Sequence, residues 1–287
     1  FQRIGDLIWA AGDSRARGFL IGATAGRTTL SGEGLQHEDG SSHLLMSTVP
    51  NCVSYDPAFG YELAIIIKDG IRRMLAEQED VFYYITVMNE NYIQPPLLEG
   101  SEEGIIRGMY LLSNEKNTRK KEKPHVQLLG SGVILNEVLK AAILLKNDWG
   151  ITSDVWSVTS FTELQRNGQS TDRKNKLNTK SKPQKSWVES CLNDSKGPVI
   201  AATDYMCSVS ELIRPWIKKE YYTLGTDGYG RSDTRENLRD FFEVSEKHIT
   251  LTALYALSKE KIITEKTLQN AIDKYSIAID TPDPWRR

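Results

Sequence analysis

The sequence predicts an α/β protein with two domains in series, and three observations carry that reading. Short apolar, β-rich runs alternate with amphipathic helical segments, the order that builds parallel sheets with crossover helices. The alternation breaks once, over residues 89–125, where the chain is turn-rich and charged, and then restarts. At 287 residues, 39% hydrophobic and 26% charged, the chain can bury two cores of ordinary size. A formal net charge of −2 gives no global reason to expect nucleic acid or an anionic membrane as partner. Three cysteines without a CxxC suit a reducing compartment and argue against structural zinc. No apolar run reaches the roughly 18 residues of a membrane-spanning helix. Apolar content begins at Phe1, with no initiator methionine or signal-peptide layout, so the chain reads as a fragment cut inside a domain.

In order, Ile4, Leu7, Ile8 and Ala11 at helical spacing predict a helix within residues 1–17, and FLIGAT (19–24) a short buried strand. HLLMSTVP (43–50) reads as a helical turn closed by Pro50, and NCVSYDP (51–57) as a strand. Residues 58–76 place Ala64, Ile67, Ile71 and Met74 on one helical face, and VFYYITVM (81–88) is a core strand. The charge run ending in RKKEKP (119–124) reads as a solvated linker, which puts the domain boundary near residue 122. The first domain is then 1–122 and the second 123–287. The second opens with VQLLGSG (126–132) as strand and glycine turn, a helix over 134–150 and a strand over 153–160. Its Gly-Ser-Gly is neither GxGxxG nor a Walker sequence, so a tight turn is the reading. A helix over 161–167, a polar and basic surface excursion over 168–186, and a strand over 197–205 follow. A helix over 208–217, kinked or ended at Pro215, and a strand over 221–227 come next. Asp233 and Glu236 fit a capping box for NLRDFF, helices follow over 245–258 and 264–275, and the tail TPDPWRR reads as frayed.

One loop stands out. GEGLQHEDGSSH (32–43) holds His37 and His43, two of the four histidines, with Glu33, Glu38 and Asp39 and three glycines. So polar and glycine-rich a stretch cannot be helix interior or central strand. Loops loaded with titratable groups on a rigid scaffold are where binding and catalysis concentrate, although such a loop can equally be plain surface.

The strings FQRIGDLIWAAGD, RGFLIGATAGRTTLSGEGLQHEDG, NCVSYDPAFGYE, ITVMNENY, QLLGSG, DVWSVTSFTEL, TDYM and LGTDGYGRSDTRENLR closely resemble the homodimeric, bacterial-type pyruvate dehydrogenase family, over essentially the whole chain. The resemblance is to its C-terminal third. It implies the latter part of a pyrimidine-binding α/β middle domain that holds thiamin diphosphate, then a transketolase-like C-terminal α/β domain. It further implies oxidative decarboxylation of pyruvate with reductive acetylation of a lipoyl group, Mg2+ beside the cofactor, a homodimer, the dihydrolipoyl acetyltransferase component as partner, and a cytoplasmic location.

By the same resemblance, His37 matches a histidine that contacts the substrate-derived intermediate, Glu33 an active-centre glutamate, and Arg3 an arginine of the relay between the two active centres. His43 resembles the second histidine of the wider transketolase signature and falls near substrate. Ser41 stands where close relatives carry His, which removes an imidazole but leaves His37 untouched. The family's diphosphate and metal motif, a GDG followed at a distance by Asn, is not found. Thr226-Asp227-Gly228 has Asn237 only nine residues on, so cofactor and metal ligands are expected upstream of Phe1. His125 and His248 are expected to be structural, and Tyr55 and Asp56 to shape a strand end. Two other readings stand beside this one: a non-catalytic, dimer-forming module, and a transketolase-like enzyme for another keto acid.

Overall fold

The computed structural model describes residues 4–23, 25–29, 37–114 and 124–287. Arg3, Glu33 and the boundary near residue 122 lie outside them. The first part runs α1 (Gly5–Asp13), β1 (Phe19–Gly22), α2 (Ser42–Ser47), β2 (Cys52–Tyr55), α3 (Gly60–Ile71) and β3 (Phe82–Thr86). Its three strands form a parallel sheet in the order β1-β3-β2. The helix expected over 58–76 is α3, continued by one π-helical turn over Arg72–Ala76. Val53, Tyr55, Ile66, Met74, Tyr83 and Ile85 make this sheet's core.

The second part adds α4 (Glu102–Arg107), β4 (Met109–Asn114), β5 (His125–Gly130), α5 (Ile134–Trp149), β6 (Thr152–Val158), α6 (Phe161–Leu177), α7 (Trp187–Leu192), β7 (Val199–Ala202), α8 (Cys207–Glu211), β8 (Tyr221–Leu224), α9 (Arg235–Phe241), α10 (Glu246–Lys259) and α11 (Glu265–Tyr275). The sheet order is β4-β6-β5-β7-β8, with β4 antiparallel on the edge and the rest parallel. One face is covered by α5 and α10, which bury Leu135, Val138, Leu145, Ile249, Ala253 and Leu257. Across the other face, Leu129, Trp156 and Val199 meet Phe161, Leu164, Val188 and Trp216.

Several expectations change. Residues 89–125 contain α4 and β4, and β4 already joins the second sheet, ahead of residue 122. The helix expected to stop at 167 continues through Gly168 to Leu177, because that glycine is a packing contact and no helix stop. It lies flat against the Trp216 indole, where a Cβ has no room. Much of the excursion over 168–186 is therefore helix. Thr234, rather than Asp233, caps α9 by accepting from Asn237 N at 3.3 Å, and Asp233 takes the Asn237 side chain at 2.9 Å. The C-terminal tail is held: Arg287 donates to Glu243 at 2.6 Å and lies over the Phe241 ring.

The two sheets are locked by a buried carboxylate. Glu62 Oε2 accepts from Ala58 N (2.6 Å) and Phe59 N (3.0 Å), fixing the β2–α3 turn. Its Oε1 accepts from Tyr110 of β4 (2.7 Å) and Ser157 of β6 (2.6 Å). Burial pushes its pKa up, and the four donors pull against that. Glu62→Ala leaves those donors unsatisfied and should cost about 3–5 kcal/mol. Glu62→Gln, still an acceptor, should cost much less. Denaturant titration of the two variants checks this, and a loss below about 1 kcal/mol for Glu62→Ala would rule the lock out.

Candidate active site

Every parallel strand ends at the seam between the sheets. Ala25 follows β1, Asp56 follows β2, Thr86 ends β3, Ser131 follows β5, Thr159 follows β6, Asp204 follows β7 and Thr226 follows β8. The carboxyl ends of strands in open α/β sheets are where ligands bind, since helix starts and free loop backbone converge there. Here two such edges meet. Asp56 N donates to Thr159 O at 2.7 Å, and Gly132 N donates to Asp56 O at 3.2 Å.

The loop that contains His37 lies on this seam. His37 is exposed, whereas Glu38 beside it is 5% exposed. Asp39 Oδ1 accepts from Ser41 N (3.0 Å) and Ser42 N (2.9 Å), and its Oδ2 takes the Ser42 hydroxyl, which fixes the start of α2. From the second part, Met206 N donates to Gly40 O at 3.0 Å and Arg231 N to Glu38 Oε2 at 2.7 Å. Arg27 lies flat on Gly40 and donates to Thr226 O. Burial lowers the pKa of Arg27, and Asp39, Asp227, Asp204 and Glu38 around it oppose that. His37, Asp39 and Tyr84 form the polar part of a cavity of about 340 Å³, and Ile4, Ile8, Leu20 and Ile21 the apolar part.

His43 takes a different place. It is 4% exposed, with Nδ1 2.5 Å from Ser54 Oγ and Nε2 3.1 Å from Thr86 Oγ1. Its ring meets Tyr205 edge-on at 4.6 Å. Thr86 in turn donates to Asp56 Oδ1 at 2.7 Å. Burial holds His43 down at about 4, so the ring is neutral near pH 7, while burial pushes Asp56 and Asp204 up to about 7. Asp204 accepts from Thr28 N at 3.1 Å and sits against Gly26, whose φ of +84° and lack of space demand glycine. The structure thus puts His37 on a cavity wall and His43 behind it, in packed seam. His125 opens β5, with Nδ1 2.8 Å from Thr152 and Nε2 3.1 Å from Asp154, and His248 Nδ1 lies 2.9 Å from Ser245.

Sequence reading did not foresee Arg27 or Asp204 at the seam, and it gave Glu38, named in the polar loop, no role of its own. The available signal was position: each follows or faces the carboxyl end of a strand. Among the described residues no three His, Cys, Asp or Glu side chains are grouped to hold a metal ion. The Thr226-Asp227-Gly228 string is occupied by the fold, since Thr226 O accepts from Arg27 and Asp227 Oδ1 accepts from Cys207 N at 3.3 Å.

This arrangement of two α/β units is the fold of transketolase-like proteins. A transketolase variant structure from Pichia stipitis superimposes with TM-score 0.65 at 17% identity, over 91% of this chain and 33% of that one. The Leishmania mexicana transketolase gives 0.63 at 14%, over 88% and 32%. At those identities the likeness shows the fold alone. Residues 1–95 match the pyruvate dehydrogenase E1 component middle domain, and residues 108–245 the transketolase-like TK C-terminal domain. The pyruvate dehydrogenase E1 component of Pseudomonas aeruginosa is 60% identical over 100% of this chain, and that of Escherichia coli K12 is 52% identical over 99%. The chain belongs to this pyruvate dehydrogenase E1 family and spans 32% of the length of those two relatives.

The buried groups set opposite pH slopes. On acidification the unfolded chain protonates at His43 first, so this residue removes stability as pH falls from about 6.5 to about 4, at about 1.4 kcal/mol per unit. Asp56 and Asp204, with raised pKa, take protons first in the folded state. Their stabilisation is present at low pH and lost as pH rises through about 7. Replacing His43 with Gln should therefore tilt the variant-minus-wild-type stability toward the variant as pH drops from 6.5 to 4.5. A difference that stays flat with pH would show that His43 titrates normally.

Proposed function

We propose that this chain forms one wall of the active site of a pyruvate dehydrogenase E1 component, which decarboxylates pyruvate and acetylates a lipoyl group on the dihydrolipoyl acetyltransferase component. The observation that carries the reading is identity of 52–60% over nearly all of this chain to proteins of that name, with His37 on the wall of a cavity in the first part. Thiamin diphosphate, when bound, would supply the electron sink for loss of CO₂. The described residues do not fit its diphosphate or Mg2+, for the reasons given above. We assign those anchors to the two thirds of the relatives' length outside this chain.

What this chain contributes is acid–base and shaping chemistry. Imidazole is the side-chain type best suited to proton transfer in enzyme sites, and here it stands accessible at a cavity. His37 is placed to hydrogen-bond a substrate carboxylate or hydroxyl and to move one proton at that oxygen. Asp39 orients the peptide that follows it, and Ile4, Ile8, Leu20 and Ile21 give the cavity an apolar side. Glu33 and Arg3 keep their proposed roles, as active-centre glutamate and as relay residue between the centres of a homodimer. His43 is proposed to support the substrate wall from behind. No helix among the described residues is long and apolar enough to cross a membrane, and a cytoplasmic setting remains our proposal.

In the full-length protein, His37→Ala should lower pyruvate decarboxylation and lipoyl acetylation by about 100-fold or more, the usual worth of a positioned acid–base group. Rates within about 2-fold of wild type would refute the assignment of His37.

A further inference from the structure

His37 points into the cavity, but the neighbouring side chain does not. Glu38 turns back into the second sheet's loops, where Oε2 accepts from Arg231 N at 2.7 Å. Gly230, the residue before, is shaped around it: an added Cβ would sit 2.6 Å from Glu38 Cβ and 2.7 Å from Cδ. The φ of Gly230 is not in the left-handed region, so glycine is required there for contact and not for conformation. The 228–231 loop is itself tied down. Arg231 Nη1 donates to Gly230 O at 2.9 Å, Nη2 donates to Arg287 O, and the guanidinium lies over the Phe241 ring. On the other side of Glu38, Met206 N holds Gly40 O and Asp39 holds the start of α2.

We propose that Glu38 is a positioning residue for His37, clamped between Gly230 and the Arg231 amide, so that the second domain sets where the first domain's imidazole points. The inference rests on the function proposed above and extends it to a residue that touches no reactant. A displacement of about 1 Å at a reacting group can cost on the order of 100-fold in rate, so a clamp of this kind matters without any chemistry of its own.

The test uses the full-length enzyme. Glu38→Ala should lower kcat for pyruvate decarboxylation by about 10-fold or more, and Glu38→Gln, which can still accept from Arg231 N, by no more than about 3-fold. Gly230→Ala, which crowds Glu38 from the other domain, should cost about as much as Glu38→Ala, and almost nothing more once Glu38 is already Ala. Glu38→Ala should likewise add almost nothing in a His37→Ala background. In the cofactor-free protein, amide hydrogen exchange over residues 38–42 should speed up in Glu38→Ala and in Gly230→Ala, with the remaining strands unchanged. If Glu38→Ala fails to fold, Gly230→Ala and its exchange pattern decide alone. Losses that multiply independently of His37, or exchange over 38–42 that neither variant changes, would overturn the clamp. A wild-type enzyme inactive on pyruvate would instead overturn the proposed function, and the exchange arm would still judge the clamp.

Discussion

The arrangement of this molecule depends on polar groups buried between two sheets, and Glu62 is the most constrained of them. Its carboxylate serves three segments at once: the turn before α3, the edge strand β4 and its neighbour β6. An unpaired carboxylate at that depth would be costly, so all its donors must be in place together. That requirement fixes the register between the sheets more tightly than apolar contact alone would. A second buried group repeats the device, since Arg239 reaches Glu137 of α5 at 3.2 Å and Glu90 beyond β3. Arg235 adds backbone contacts to Thr29 and Asn89, so α9 grips the loops after β1 and β3.

With the sheets so locked, their carboxyl ends have only one place to put their loops. The chain spends that space on two kinds of histidine. His43, neutral and enclosed, belongs to the seam's hydrogen-bond chain through Ser54, Thr86 and Asp56. His37, six residues earlier, stands in solvent-accessible cavity while its neighbours Glu38, Asp39 and Gly40 are all held. A rigid frame under one accessible titratable side chain is the arrangement that acid–base chemistry needs.

Much of this was legible in the sequence, for identifiable reasons. Long apolar periodicities, as in α5 and α10, have few alternatives once buried, and VFYYITVM is too β-rich to be anything but a core strand. The strings around His37 carried the family resemblance and pointed to the loop. What escaped depended on tertiary contact. Gly168 looks like a helix stop until Trp216 is seen against it, and β4 looks like linker because it is an edge strand with a polar end, Ser113-Asn114. The resemblance gave His37 and His43 different roles but put both near substrate; the burial of His43 by Tyr205, Tyr84 and the Ser54 strand was not legible in the sequence. The frayed tail failed because Arg287 finds Glu243, a partner that sequence alone cannot supply.

The proposed function requires the cavity beside His37 to face substrate. The most direct measurement is an experimental structure of the full-length enzyme with an unreactive pyruvate analogue bound. A His37 ring nitrogen is expected within about 2.6–3.2 Å of an analogue oxygen, or one water away. An analogue seated elsewhere, with the His37 ring turned to bulk solvent, would contradict it.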